Sequence, residues 1–328
     1  MRLPNGIPII AIPYCEVNEF KEIMPRQVYK RTWLIDIIPK TSIRGMCNGK
    51  PNRIVNGFYR VMRAILHHVN TEAINLDSGT TKTIEARTCT VEPVKGVLSQ
   101  DTAEPQFSNS VVSNASFFST EVQTYEFLSD RLRLNAQWTS NGNYSSVGVY
   151  FNVYSALPLL ARSLVSVSVD QVVTYSIDFF EPWTKNFFLF WAGLWLDRNV
   201  SGLVDTSGAT RDLNSGADTD FKGCGAQIAI GAGTNPFSFD DYTLTNMDVL
   251  PTDYVYKVGT NSSFILIAFI SKYIPSSDIT ITEIGLVQKY KATDGNLYEY
   301  LICRMLLTEP ITLIANKSNV LIVRILAM

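Results

Sequence analysis

Three short stretches hold the residues whose types and spacing could do chemistry. The first, IAIGAGTNPFSFDDYTL from Ile228 to Leu244, carries the glycine pair Gly231 and Gly233 followed by two carboxylates, Asp240 and Asp241. A phosphate cradle needs a strand before its glycines, a helix after them, and backbone N–H groups free to face the anion. Here the third glycine and the G-K-[ST] ending are missing, Pro236 removes a donor, and β-like residues follow. The reading is a Gly-rich turn leading to a loop whose Asp240 and Asp241 cap or hydrogen-bond local backbone.

The second stretch, DLNSGADTD, places oxygen-bearing side chains at Asp212, Asn214, Asp218 and Asp220, with Gly216 allowing a tight bend. Calcium favours such ligands, although the EF-hand pattern would put its glycine one position later and a bidentate Glu where Gly223 stands. A solvated surface loop and a calcium loop both remain open, and calcium is the one cofactor for which the chain leaves room.

The third is His67–His68, the only two histidines, whose scarcity removes most metal sites and most Ser/His or Cys/His arrangements. Near the end of a helix an imidazole can meet the terminal carbonyls without catalytic duty. The five cysteines, Cys15, Cys47, Cys89, Cys224 and Cys303, are widely spread and form no C-x-x-C pair, so buried free thiols are expected. Asp and Glu abound, but no pair forms the constellation that a β-sandwich glycosidase needs, and no catalytic residue is assigned.

The elements that would position these residues come next. With 328 residues and 46% apolar content the chain can bury a large core, while 18% charged residues and a net charge of -2 advertise no basic face for nucleic acid. The most apolar run, FFLFWAGLWL from Phe187 to Leu196, falls short of the roughly 20 residues that a bilayer span requires. The start, MRLPNGIPIIAIPY, is apolar but punctuated by Pro4, Pro8 and Pro13, and reads as an extended arm over residues 1 to about 28 that packs against another subunit.

The chain is written twice. NGFYRVMRAILHHV and NFFLFWAGLWLDR align with Phe58 on Phe187, and at the same offset of 129 Gly79 falls on Gly208 and Lys82 on Arg211. The offset then becomes 135, pairing Gly96 with Gly231, so the DLNSGADTD region holds six additional residues. Further on, LRLNAQW answers FILIAFI, Gly148 answers Gly285, and Arg162 answers Arg304. A repeated arginine in a strand more often pairs with a carboxylate or crosses a sheet edge than binds substrate.

Most segments alternate apolar and polar residues with period two between Gly, Asn, Asp and Ser clusters. The expected fold is mainly β: two tandem related β-sandwich, jelly-roll-like modules, each with one helix near its start, plus the extended N-terminal arm. Residues 1–45 form the arm and first strand, 46–180 module 1 and 181–328 module 2. In the first helix Phe58, Val61, Met62, Ile65 and Val69 make one face, with Arg60, Arg63 and His67 on the other. The corresponding positions in the second are Leu189, Ala192 and Leu196, so that helix is apolar all round and must be covered on both sides. It lies between the modules, or offers Phe187, Phe188, Trp191 and Trp195 to a subunit interface or a lipid surface.

The second copy resembles a module of structural proteins from tailed phages and archaeal viruses. The resemblance rests on DTSGATR, then on IAIGAGTNPFSFDDYTL with its Gly-x-Gly-Thr and Asp-Tyr-x-Leu words, then on ITEIGL and LICRMLLTEPITL, over Asp205 to Met328. The first copy keeps Gly96 but has neither the Asp-Tyr-x-Leu nor the Glu-x-Gly-Leu word. The resemblance implies a virion protein, a capsid, vertex, turret or tail component, not an enzyme, whose partners are copies of itself and other virion proteins. The alternative is a spike or tail-fibre module that grips a host receptor or glycan.

Overall fold

The computed structural model describes residues 32–36, 43–76, 78–84, 91–108, 112–153, 156–196, 199–213 and 225–328. The arm expected over residues 1–28 lies outside them. The fold is mainly β, with two α-helices and several sheets among the described residues and no barrel. Strand β1 (Thr32–Asp36) is followed by the hairpin β2 (Ile43–Cys47) and β3 (Lys50–Ile54). Its turn, Asn48–Gly49, has positive φ at both residues, the conformation that Asn-Gly turns supply. Helix α1 (Asn56–His67) and the hairpin β4 (Thr71–Ile74) and β5 (Thr81–Ile84) come next. The first half then runs through β6 (Val91–Ser99), β7 (Ser116–Ser119), β8 (Val122–Phe127), β9 (Leu132–Thr139), β10 (Tyr144–Val153), β11 (Leu159–Val167) and β12 (Val172–Phe179).

The second half opens with helix α2 (Lys185–Leu196) and the hairpin β13 (Val200–Val204) and β14 (Thr210–Leu213). It continues through β15 (Gln227–Gly231), β16 (Asp248–Val249), β17 (Asp253–Val258), β18 (Ile265–Tyr273), β19 (Ile279–Lys291), β20 (Leu297–Leu313) and β21 (Asn319–Ala327).

In the first half one run of strands is ordered β7-β6-β10-β11 and the other β2-β12-β9-β8, with β3 joining them by pairing with β2 at its start and β11 at its end. In the second half the sheets are ordered β16-β15-β19-β20 and β1-β21-β18-β17, the same order position for position. Strand β1 takes the place of β2, but pairs with β21 in parallel where β2 pairs with β12 antiparallel. The jelly-roll-like connectivity is a point of difference. A jelly roll sends most consecutive strands to opposite sheets, whereas β8–β9, β10–β11, β17–β18 and β19–β20 remain sheet neighbours. The reason is local, because short turns such as the one closed by the Leu128 N–H to Arg131 carbonyl bond force antiparallel pairing.

Period-two alternation sets the faces. On β9, Leu134, Ala136 and Trp138 are buried while Arg133, Asn135 and Gln137 look outward. Across the outer face the register aligns Arg44, Asp178, Arg133 and Glu126, a row of alternating charge over four strands. Arg133 donates to both Asp178 oxygens, at 2.6 and 2.8 Å.

The two helices tie the halves together. Every residue of α2 from Asn186 to Leu196 is buried, and Phe187, Phe188, Trp191 and Trp195 stand inside this chain's own core. Trp191 stacks on Phe58 at 4.6 Å, Phe188 meets Tyr125, Phe127 and Phe179, and the Trp195 indole donates to the Asn135 carbonyl at 2.8 Å. On the other side Phe190 stacks on Tyr290 at 4.3 Å. The interface expectation for those four aromatics is therefore corrected: their area is spent between the two halves and none is offered to another subunit or to lipid.

Helix α1 is reciprocal. Phe58, Val61, Met62 and Ile65 are buried as their spacing predicts, but the face of Arg60, Arg63 and His67 turns to the second half rather than to solvent. Arg63 lies over the Tyr256 ring at 3.8 Å, Arg60 donates to the Glu72 carbonyl and to Ser262, and His67 sits against Tyr254 and Phe269. Strands β17 and β18 are what cover it. His68, at φ 51°, ends the helix and donates its N–H to the Ile65 carbonyl.

Burial at this seam, reinforced by the Arg63 charge and opposed by a hydrogen bond to the Ala268 backbone, lowers the His67 pKa from 6.5 to about 3. Between those values the unfolded chain binds a proton that the folded chain refuses, so stability falls as pH drops from 6.5 towards 3. Urea denaturation at stepped pH should show this slope, and His67→Leu should flatten it; an unchanged slope would place the imidazole in water.

Candidate functional site

The glycine-rich stretch folds around one buried ion pair. Glu283 and Arg304 stand on neighbouring strands β19 and β20, where the register sets Gly285 opposite Arg304. A Cβ on Gly285 would lie 2.5 Å from the Cys303 carbonyl oxygen, so only glycine lets the strands approach this closely. Arg304 donates from Nε to Glu283 Oε2 at 2.7 Å and from Nη1 to Asp241 Oδ2 at 2.8 Å. Its remaining bonds reach the carbonyls of Pro236 (3.1 Å) and Asn235 (2.9 Å).

Glu283 is 0% exposed, and its Oε1 accepts the N–H groups of Gly233 (2.9 Å) and Thr245 (2.6 Å). The loop between β15 and β16 is thus held at both ends, its amides by Glu283 and its carbonyls by Arg304. Asp241 also accepts the Ser238 N–H at 2.8 Å, and Asp240 accepts from Lys185. Burial disfavours the Arg304 charge, but the bonds to Asp241 and Glu283 outweigh it and raise the pKa. The glycine pair has a spatial purpose: a Cβ on Gly231 or Gly233 would come within 2.6 or 2.5 Å of the Glu283 carboxylate.

The first half has a lighter version. Gly148 lies opposite Arg162, which donates to Ser146 Oγ at 2.8 Å and pairs with Asp101 at 3.1 Å. Arg162 and Arg304 thus pair with carboxylates, the first of the two roles expected of a repeated strand arginine. Ser146 stands two residues before Gly148 and Glu283 two before Gly285, so Arg162 meets a hydroxyl where Arg304 meets a carboxylate, and Arg162 reaches its loop through the carboxylate and carbonyl of Asp101.

Beside the clasp lies a polar surface. Asp205 Oδ1 accepts the N–H groups of Ser207 (2.9 Å) and Ala209 (3.0 Å) together with the Ser207 hydroxyl, and Oδ2 accepts Arg211 Nε at 2.9 Å. Burial pushes the Asp205 pKa up, but these bonds prevail and hold it below 3.8. Arg211 lies over the Tyr298 ring at 3.8 Å, and the Tyr298 hydroxyl donates to Asp294. Tyr242 is 40% exposed against Gly208.

Of the four calcium candidates only Asp212 is described; it is exposed and its carbonyl accepts the Thr293 N–H. Asn214, Asp218 and Asp220 lie outside the described residues. Among the described residues no group of three His, Cys, Asp or Glu side chains converges on a metal position. Cys47 and Cys303 are buried free thiols whose pKa values desolvation raises, that of Cys47 to about 12. Sequence reasoning missed Glu283. Its signal was its phase, since in ITITEIGL it falls on the buried side with Ile281. No protein-family model, curated protein or solved structure matches the chain.

Arg304→Met would leave the Glu283 charge buried and unpaired, and is expected to cost about 3–5 kcal/mol of unfolding free energy in urea. Arg304→Lys should recover little, because one ammonium cannot reach acceptors spread over a guanidinium fork. The double variant Arg304→Met with Glu283→Gln should cost clearly less than the sum of its parts; strict additivity would mean that the two are not coupled. Gly233→Ala should cost about 1–3 kcal/mol by overpacking against Glu283.

Proposed function

We propose that the protein is a structural component of a virus particle, a capsid, vertex or turret, or tail subunit. It works by self-assembly and by contacts with other virion proteins, through two related β-sandwich modules in tandem. The observation that carries this reading is the clasp. Gly231, Gly233, Asp241, Glu283, Gly285 and Arg304, the residues of the words that resemble the viral module, converge on one buried network. Its effect is to stiffen a loop between two strands. Matching strand order in the two halves and a core continuous between them favour a rigid building block.

A second reading, a receptor- or glycan-binding spike module, draws on Tyr242 and Tyr298 near the Asp205 turn. Asp294, which accepts from Tyr298, follows Thr293, whose N–H donates to the Asp212 carbonyl, and Leu297 is 46% exposed at the start of β20. Aromatic faces next to fixed carboxylates suit sugar rings.

Light scattering of the purified chain, with and without calcium, followed by negative-stain imaging, separates the two. Discrete rings, shells or tubes at raised concentration are the expected outcome. A monomer indifferent to concentration and calcium would overturn the assembly reading and favour the spike module.

A further inference from the structure

Arg131 and Arg133 pair with Asp178, Arg162 with Asp101, Arg211 with Asp205, and Arg304 with Glu283 and Asp241. Arg60 and Arg63, three residues apart on one face of α1, are held differently. Arg60 donates to the Glu72 carbonyl at 2.6 Å and to Ser262 Oγ at 3.3 Å, and Arg63 donates from Nη1 to Thr71 Oγ1 at 3.2 Å. These acceptors are all neutral. Among the described residues neither guanidinium forms an ion pair, the Arg63 Nη2 group has no hydrogen-bond partner, and the Glu72 side chain is exposed.

Two like charges therefore stand side by side, half-buried, with no opposite charge between them. Burial lowers the Arg63 pKa, the Tyr256 phenol opposes that shift, and the Arg60 charge adds to it. Arg63 lies over the Tyr256 ring at 3.8 Å, and the Tyr256 hydroxyl, shut off from water, has no hydrogen-bond partner. The Nε of each arginine is likewise buried without an acceptor. Donors left in this way cost stability. Architecture alone does not require them, because α2 spans the same seam with Leu189 and Ala192 at the positions of Arg60 and Arg63.

We propose that Arg60, Arg63, Tyr256 and Ser262 bind a phosphoryl group, either as inorganic phosphate or as the terminus of a small phosphomonoester. Such a group carries about −1.5 to −2 charges at neutral pH and three strong acceptor oxygens. Its charge answers two guanidinium groups, and its oxygens can take the free Arg63 nitrogen and the two hydroxyls together. A planar carboxylate, with one charge and two oxygens, would leave part of the cluster unanswered. The arginines come from the first half, and Tyr256 on β17 and Ser262 in the turn after it come from the second. The site is complete only when the halves are packed, so a bound phosphoryl group stabilises the folded chain. It does so whether or not the protein assembles.

The test is isothermal titration of the full chain with inorganic phosphate and, separately, with glycerol phosphate, at an ionic strength fixed with sodium chloride. Saturable binding is expected. Binding of both ligands supports a site for the free ion, and binding of glycerol phosphate alone supports one for the ester. Arg63→Gln should weaken binding by about tenfold or more, and Arg63→Lys should recover only part of the loss. Arg44→Gln, on the outer face of the first half, should bind like the unsubstituted chain. No saturable binding, affinity unchanged in Arg63→Gln, or acetate bound as tightly as phosphate would each overturn the proposal. If Arg63→Gln does not fold, Tyr256→Phe decides, because it removes one oxygen and keeps the ring beneath Arg63. A severalfold weaker affinity is expected there, and an unchanged one counts against the site.

Discussion

A helix with no polar side must be enclosed, and α2 imposes that constraint on everything around it. Each half alone could cover only one flank of its twelve residues. The first half supplies Phe58, Phe151 and Phe179 against Trp191, and the second supplies Tyr290 against Phe190. Fully burying one large apolar side chain contributes about 1.5–3 kcal/mol, and α2 carries eight such side chains, so separating the halves would be strongly unfavourable. The main core therefore runs through both halves without a break.

Reciprocity follows from the same constraint. While α2 packs against β6, β8 and β9, α1 packs against β18, and the Ala226 N–H and the Gln288 amide of the second half donate to the last carbonyls of α1. The bond from Trp195 to Asn135 has its counterpart in the bond between His67 and Ala268. Each helix grips strands of the other half.

Much of this was legible in the chain. Period-two alternation marked the strands, the 3.6-residue spacing marked α1, and the recurrence of Gly148 and Gly285, and of Arg162 and Arg304, marked equivalent strand positions. What alternation and spacing could not tell was which surface each face would meet. Spacing puts Arg60, Arg63 and His67 on one face of α1 without naming β17 and β18 as its cover, and leaves Phe187 to Leu196 equally ready for a partner or for a place between the chain's own halves. The purpose of the Gly231 and Gly233 pair depends on Glu283, fifty residues beyond Gly233, and no local pattern joins them.

The two outer sheets differ in kind although their strands are ordered alike. One presents fixed charge in a row through Arg44, Asp178, Arg133 and Glu126, and the other sets Leu266, Ile270, Val320 and Ile322 at its centre with Asp253, Lys257 and Lys272 towards its margins. The molecule consequently has a front and a back. An encounter at the charged face is governed by ionic strength, fading beyond a screening length of about 8 Å in physiological salt, whereas the packing of Leu266, Ile270 and Ile322, buried on the other, responds to temperature through the hydrophobic effect. Two faces that obey different solution variables give the molecule a direction.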